Sequence, residues 1–139
     1  MWKRLIENLT LAAVGGTAYY CLELLARGWS HPSMFLVGGL CFWLVGNVNE
    51  VLPWDVPLWL QAAAGAVCIT VVEFVSGCVL NLWLGLGVWS YADKPFNLLG
   101  QVCLSMSLLW VALSVPAILL DDWLRWQMWG EERPRYRLV

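Results

Sequence analysis

Apolar stretches separated by short polar breaks organise the chain. Residues 5–26 are apolar apart from a few positions that include Glu7, Asn8 and Glu23. Residues 33–52 repeat the pattern and end in Asn47-Val48-Asn49-Glu50. Pro53-Trp54-Asp55-Val56-Pro57 then predicts a turn, because two prolines remove backbone donors and break helical continuity. Residues 57–89 form the longest run, in which Glu73 and Asn81 are the strongly polar side chains between Gln61 and Val88. Residues 97–120 close the series before Asp121-Asp122. A membrane-crossing helix needs roughly 20 mainly apolar residues, so the pattern predicts four transmembrane helices.

The third run is too long for one straight crossing. At about 1.5 Å per residue it would reach roughly 50 Å, against a hydrocarbon core near 30 Å. Gly77, Gly85 and Gly87 mark its weak points. They divide it into a crossing helix over 58–78 and a shorter piece over about 79–89. That piece is expected to be a re-entrant or interfacial helix, with a single long tilted helix as the alternative.

Composition turns the pattern into a fold class. The chain has 139 residues, 60% hydrophobic and only 13% charged, where soluble domains carry about 25% charged residues. The expectation is an all-α integral membrane bundle forming a single domain, 1–139, in contact with the lipid bilayer. Lys3, Arg4, Arg125, Arg133, Arg135 and Arg137 lie towards the two ends, with only Arg27 and Lys94 between. Lys/Arg bias marks the cytoplasmic side, so four crossings with both termini inside a plasma membrane are expected. A net charge of −2 with no basic face excludes a nucleic-acid surface. The start, Met1-Trp2-Lys3-Arg4, resembles a signal peptide, but no convincing small-x-small cleavage site precedes the polar stretch 23–27, so a retained first span is expected.

Eleven tryptophans include Trp2, Trp29, Trp54, Trp59, Trp89, Trp123, Trp126 and Trp129 near predicted boundaries. Their default reading is an interfacial belt, with cation or carbohydrate stacking by Trp29 or Trp89 as the sharper one. Residues 123–139 read as a charged amphipathic tail along the inner surface. Five cysteines without a CxxC pair, and a single histidine, argue against zinc and for cysteine as packing. His31 is expected to start the second span and Pro116 to kink the last.

The polar residues converge if the spans are helical. Glu73, Gly77, Asn81 and Gly85 recur every four residues, as do Asn97, Gln101 and Ser105 in the last span. Glu23 falls at similar depth, with Arg27 one turn further out. Glu73, Asn81, Asn97, Gln101 and Glu23 could therefore line one outward-facing cavity, with Tyr91 and Arg27 as secondary candidates. Each has a plainer reading. Glu23 could pair with Arg27, Asn97 could cap a helix, and Gln101 could be interhelical glue. Asn49 and Glu50 form a second candidate group at the inner end, where polar residues near water need little explanation. Glu73 has the weakest plain reading, since a lone carboxylate in lipid costs about 2.5–3.5 kcal/mol on lenient scales.

Several stretches carry a family resemblance. They are Gly28-Trp29-Ser30-His31, Met34-Phe35, Gly38-Gly39-Leu40-Cys41, Asn49-Glu50, Glu73-Phe74-Val75-Ser76-Gly77 with Asn81, Trp89-Ser90-Tyr91, and Pro95-Phe96-Asn97 with Gly100-Gln101. With them the chain resembles the putative ABC-transporter type IV (CmpB-like) family over nearly its whole length. The resemblance implies a multi-pass membrane protein and hints at transport. No GxxxxGK[ST] phosphate loop is present, so ATP hydrolysis by that mechanism would need a separate ATPase subunit.

The leading expectation is a transporter, channel or transporter subunit, built as a homo-oligomer, with a dimer favoured. Glu73 would hold a cation or proton, and no cofactor or metal is implied. A scaffold or regulatory subunit is the alternative. An enzyme acting on lipid-linked substrates, with Glu73 as general base, is the third reading.

Overall fold

The computed structural model describes residues 1–138, and the side chain of Asn49, one of the sequence candidates, lies outside the described residues. Helix α1 spans Trp2–Arg27 and stops where Gly28 takes a left-handed conformation (φ 78°), its N–H capping the Leu24 carbonyl. The next helix, α2 (Ser33–Gly46), begins at a turn in which the Ser33 N–H donates to His31 Nδ1 at 3.2 Å. His31 thus starts this helix, as expected. After the single turn α3 (Val48–Val51) and the proline turn comes α4 (Leu58–Gly77), which runs on into a π-helical turn over Cys78–Trp83. Two short antiparallel strands, β1 (Asn97–Leu98) and β2 (Val102–Cys103), precede α5 (Leu104–Trp129).

Three helical stretches are long and apolar enough to cross a membrane: α1, α5 and Leu58–Trp83, each of 26 residues. The fourth apolar helix is shorter. With 14 residues, α2 reaches only about 21 Å at 1.5 Å per residue. The sequence predicted a span over 33–52, but the helix breaks at Asn47, whose Nδ2 donates to the Trp43 carbonyl at 2.6 Å. A side chain bonded to its own backbone competes with helix propagation.

The last helix also departs from expectation. It begins at Leu104 instead of Asn97, because residues 97–103 form the small hairpin with Leu99 (φ 54°) and Gly100 (φ 72°) at its turn. The Asn97 Oδ1 accepts the Gly100 N–H at 3.0 Å, a local bond typical of asparagine in turns. The helical stripe through Asn97, Gln101 and Ser105 therefore does not exist.

Helix α1 packs chiefly on α2, α2 also on α4 and α5, and α4 on α5. Thr70 and Ser107 link α4 to α5 with hydroxyls 2.9 Å apart. The α1–α2 crossing depends on small residues. A Cβ at Gly39 would lie 2.6 Å from the Ala12 carbonyl oxygen of α1, so the two backbones approach at that point. Near the other helix ends, Glu7 of α1 and Arg125 of α5 pair at 3.2 Å, which puts the start of α1 and the finish of α5 at one end of the bundle.

Because a main-chain atom cannot move aside as a side chain does, Gly39→Ala is expected to destabilise the protein by about 1–3 kcal/mol. Leu40→Ala, at an outward-facing neighbour, is expected to change stability far less. Thermal unfolding of both variants in detergent checks this.

Candidate functional site

The site is assembled where α4 ends. Asn81 lies on the π-helical turn, and its Oδ1 accepts the Val88 N–H at 2.7 Å and the Trp89 N–H at 3.4 Å. Its Nδ2 donates to Gln101 Oε1 at 2.8 Å. Gly85 (φ 65°) and Gly87 (φ 59°) take left-handed conformations that reverse the chain between these anchors. Residues 79–89 are thus neither one helix nor a long extension of α4. Helix persists to Trp83, and the rest returns without regular structure to bury Val88 and Trp89 against Met34.

This return carries two aromatic residues inward. Trp89 Nε1 donates to the Gln101 carbonyl at 3.0 Å, so Trp89 is a buried bracing residue and not part of an interfacial belt. Two positions on, Tyr91 donates its hydroxyl to Glu73 Oε2 at 3.2 Å. From α5, Trp110 Nε1 donates to Glu73 Oε1 at 3.3 Å. Glu73 is only 7% exposed, and each of its oxygens accepts from a neutral donor. Among the described residues no lysine, arginine or histidine forms an ion pair with it. One turn further along α4, a Cβ at Gly77 would lie 2.6 Å from Gln101 Oε1, so this glycine makes room for the Gln101 side chain.

Beside Glu73 lies a cavity of about 240 Å³ bounded by α1, α2, α4 and α5. Tyr19, Phe42, Trp89 and Trp110 supply aromatic walls, Pro116 contributes from within α5, and Glu73 is the only carboxylate in the lining. Of the five residues expected in one cavity, Glu73 alone lines it. Asn81 and Gln101 lie next door with their amides committed, Gln101 Nε2 donating to the Leu99 carbonyl at 2.9 Å. Asn97 is exposed, with its Nδ2 donating to the Lys94 carbonyl at 2.7 Å, and it does not cap α5. Glu23 accepts from the Tyr19 hydroxyl at 2.9 Å and forms an i,i+4 ion pair with Arg27 at 3.3 Å. Arg27 also donates to the Val88 carbonyl at 3.0 Å and stacks on the Trp29 ring at 4.4 Å. Arg27 thereby holds the returning loop, and Glu23 holds Arg27.

The opposite end holds a cluster that sequence reasoning did not assemble. Asp121 and Asp122 follow the last apolar run, yet Asp121 is 0% and Arg125 6% exposed. Arg125 Nε donates to Asp121 Oδ2 at 2.8 Å and Nη1 to Glu7 Oε1 at 3.2 Å. Asp122 accepts the Tyr136 hydroxyl at 2.7 Å. Burial, and then that bond to a carboxylate, pushes the Tyr136 phenol above its ordinary pKa, so it stays a donor. The chain beyond α5 runs back along the proline turn, where the Leu58 N–H donates to the Arg137 carbonyl at 2.6 Å and Trp54 Nε1 to Glu132 at 3.2 Å. Glu50 is exposed and shares a groove with Asp122 and Arg125.

One signal for Trp110 was present in the sequence. It sits deep in an apolar stretch, away from any boundary, where an indole N–H needs an acceptor. The Glu7–Arg125 pair had no such signal, since its partners are 118 residues apart.

Removing the guanidinium would strand buried carboxylates. Arg125→Met is expected to cost about 3–5 kcal/mol of stability, while Arg135→Met, at an exposed ion pair, should be close to neutral. Chemical unfolding of the two variants in detergent distinguishes them.

The model of the family described as putative ABC-transporter type IV matches residues 16–127, most of the chain. Neither the curated proteins nor the solved structures include a significant match to it.

Proposed function

The chain belongs to the putative ABC-transporter type IV family, and from that premise we propose that it is a multi-pass membrane transporter, channel or transporter subunit in which Glu73 is the site for a cation or proton. One observation carries this reading. Glu73 faces a cavity with two neutral donors and no basic partner among the described residues. A carboxylate in apolar surroundings is costly unless something neutralises it, and a bound cation or proton does so. Asn81 and Gln101 serve indirectly by fixing the loop that delivers Tyr91.

The remaining features of the proposal follow from the same premises. The Lys/Arg distribution favours a plasma-membrane protein with both termini cytoplasmic, and the contact between Glu7 and Arg125 supports placing the two termini on one side. A homodimer would enclose a fuller pathway than one small bundle. An ATP-driven version would take its ATPase from a separate subunit, since this chain lacks a phosphate loop. A second reading, a scaffold subunit, is favoured by the Asn81–Gln101–Trp89 bonds, which hold elements together. Nothing comparable favours an enzyme.

Reconstituted in liposomes, the wild-type chain should conduct protons or monovalent cations, and Glu73→Gln should lower that flux by about tenfold or more, the equivalent of one lost charge-assisted contact. Equal flux in the two would remove Glu73 from the mechanism and leave the scaffold reading.

A further inference from the structure

On the reading of Glu73 as a cation site, we propose that its cavity binds an organic ammonium ion with a hydrocarbon body, of about the size of one substituted ring, and not a metal ion. The lining sets the chemistry. Tyr19, Phe42, Trp89 and Trp110 surround the space, and the Tyr19 and Trp110 rings stand 6.2 Å apart with their planes inclined at 51°. Trp110 also holds Glu73 through its N–H, so an aromatic wall and the carboxylate belong to one unit. Cations are drawn to aromatic faces, and cages of such rings are a recurring solution for quaternary ammonium groups. The carboxylate adds the matching charge, and Met34, Ile69 and Leu113 extend the apolar lining for the rest of the ligand.

The same lining disfavours the competing occupants. A calcium ion takes about 6–8 oxygen ligands and a magnesium ion keeps a shell of six, whereas this cavity offers one carboxylate. The described residues hold no group of three or more His, Cys, Asp and Glu placed to share a metal. A neutral hydrocarbon or a lipid tail would fit the walls but would leave Glu73 without a counter-charge. Size fits as well. Cavities of about 150 Å³ with apolar walls accept benzene, and 240 Å³ leaves space for a ring carrying a substituted nitrogen.

The test titrates the full-length protein in lipid nanodiscs with benzyltrimethylammonium and with neopentylbenzene, its uncharged isostere, by calorimetry and tryptophan fluorescence. The expected result is binding of the ammonium ion at least about tenfold tighter than the isostere, as a desolvated cation–π and carboxylate contact would give. Glu73→Gln should erase that preference. Phe42→Leu, which removes one ring without touching any hydrogen bond to Glu73, should weaken the ammonium ion several-fold. This second variant keeps the test decisive if Glu73→Gln fails to fold. Equal affinity for the two probes, or ammonium binding unaltered in both variants, would overturn the proposal and make the cavity a groove for lipid tails. Proton flux that depends on Glu73 without ammonium binding would overturn it too, while leaving the reading of Glu73 intact. Flux unaltered by Glu73→Gln, with no ammonium binding, would remove both.

Discussion

A polar group drawn into an apolar bundle has to find its hydrogen-bond partners within the chain, and Glu73 imposes that requirement most severely. Its two donors come from different places, Tyr91 on the returning loop and Trp110 on α5. The loop arrives only because Asn81 accepts the Val88 N–H and so replaces the backbone bonds lost where helix gives way at Trp83. Gln101 holds Asn81 in turn and accepts the Trp89 indole through its carbonyl. The π-helical turn, the paired glycines and the two-stranded hairpin all serve that one placement.

The two ends of the bundle solve the problem of buried charge differently. At the Arg125 end, a guanidinium lies between Glu7 and Asp121, so charge meets charge. At the Glu73 end, the carboxylate meets only dipoles and an open cavity. The Glu7–Arg125 ion pair joins α1 to α5. A carboxylate held by neutral donors retains its capacity to bind something that arrives from outside. The difference in partners, more than the shared burial, sets the two ends apart.

The outer surface tells which solvent the bundle is built for. Along α4, Val67, Val71 and Val75 are exposed at four-residue spacing, while Gln61, Gly65 and Glu73 face inward. This helix thus turns hydrocarbon outward and some of its most polar groups inward, the reverse of a helix on a water-soluble domain. The same arrangement explains why a small bundle tolerates so many polar side chains. Thr70, Glu73 and Asn81 each lie where another helix or loop reaches them.

The sequence by itself determined the apolar helices of membrane-spanning character and the singular position of Glu73. These depend on local composition, helical period and the conformational limits of glycine and proline, all of which are written in consecutive residues. The tertiary structure alone decided that 97–103 is a hairpin, that Trp89 points inward, and that Trp110, 37 residues beyond Glu73, supplies its second donor. It alone joined Glu7 to Arg125. Periodicity assumes that a helix continues, and Asn47 and Asn97 show where a side-chain bond to nearby backbone ends that assumption. Partnerships across the bundle depend on which helix faces which, and that is set by close backbone approach at positions such as Gly39, a property of two surfaces and not of one stretch of chain.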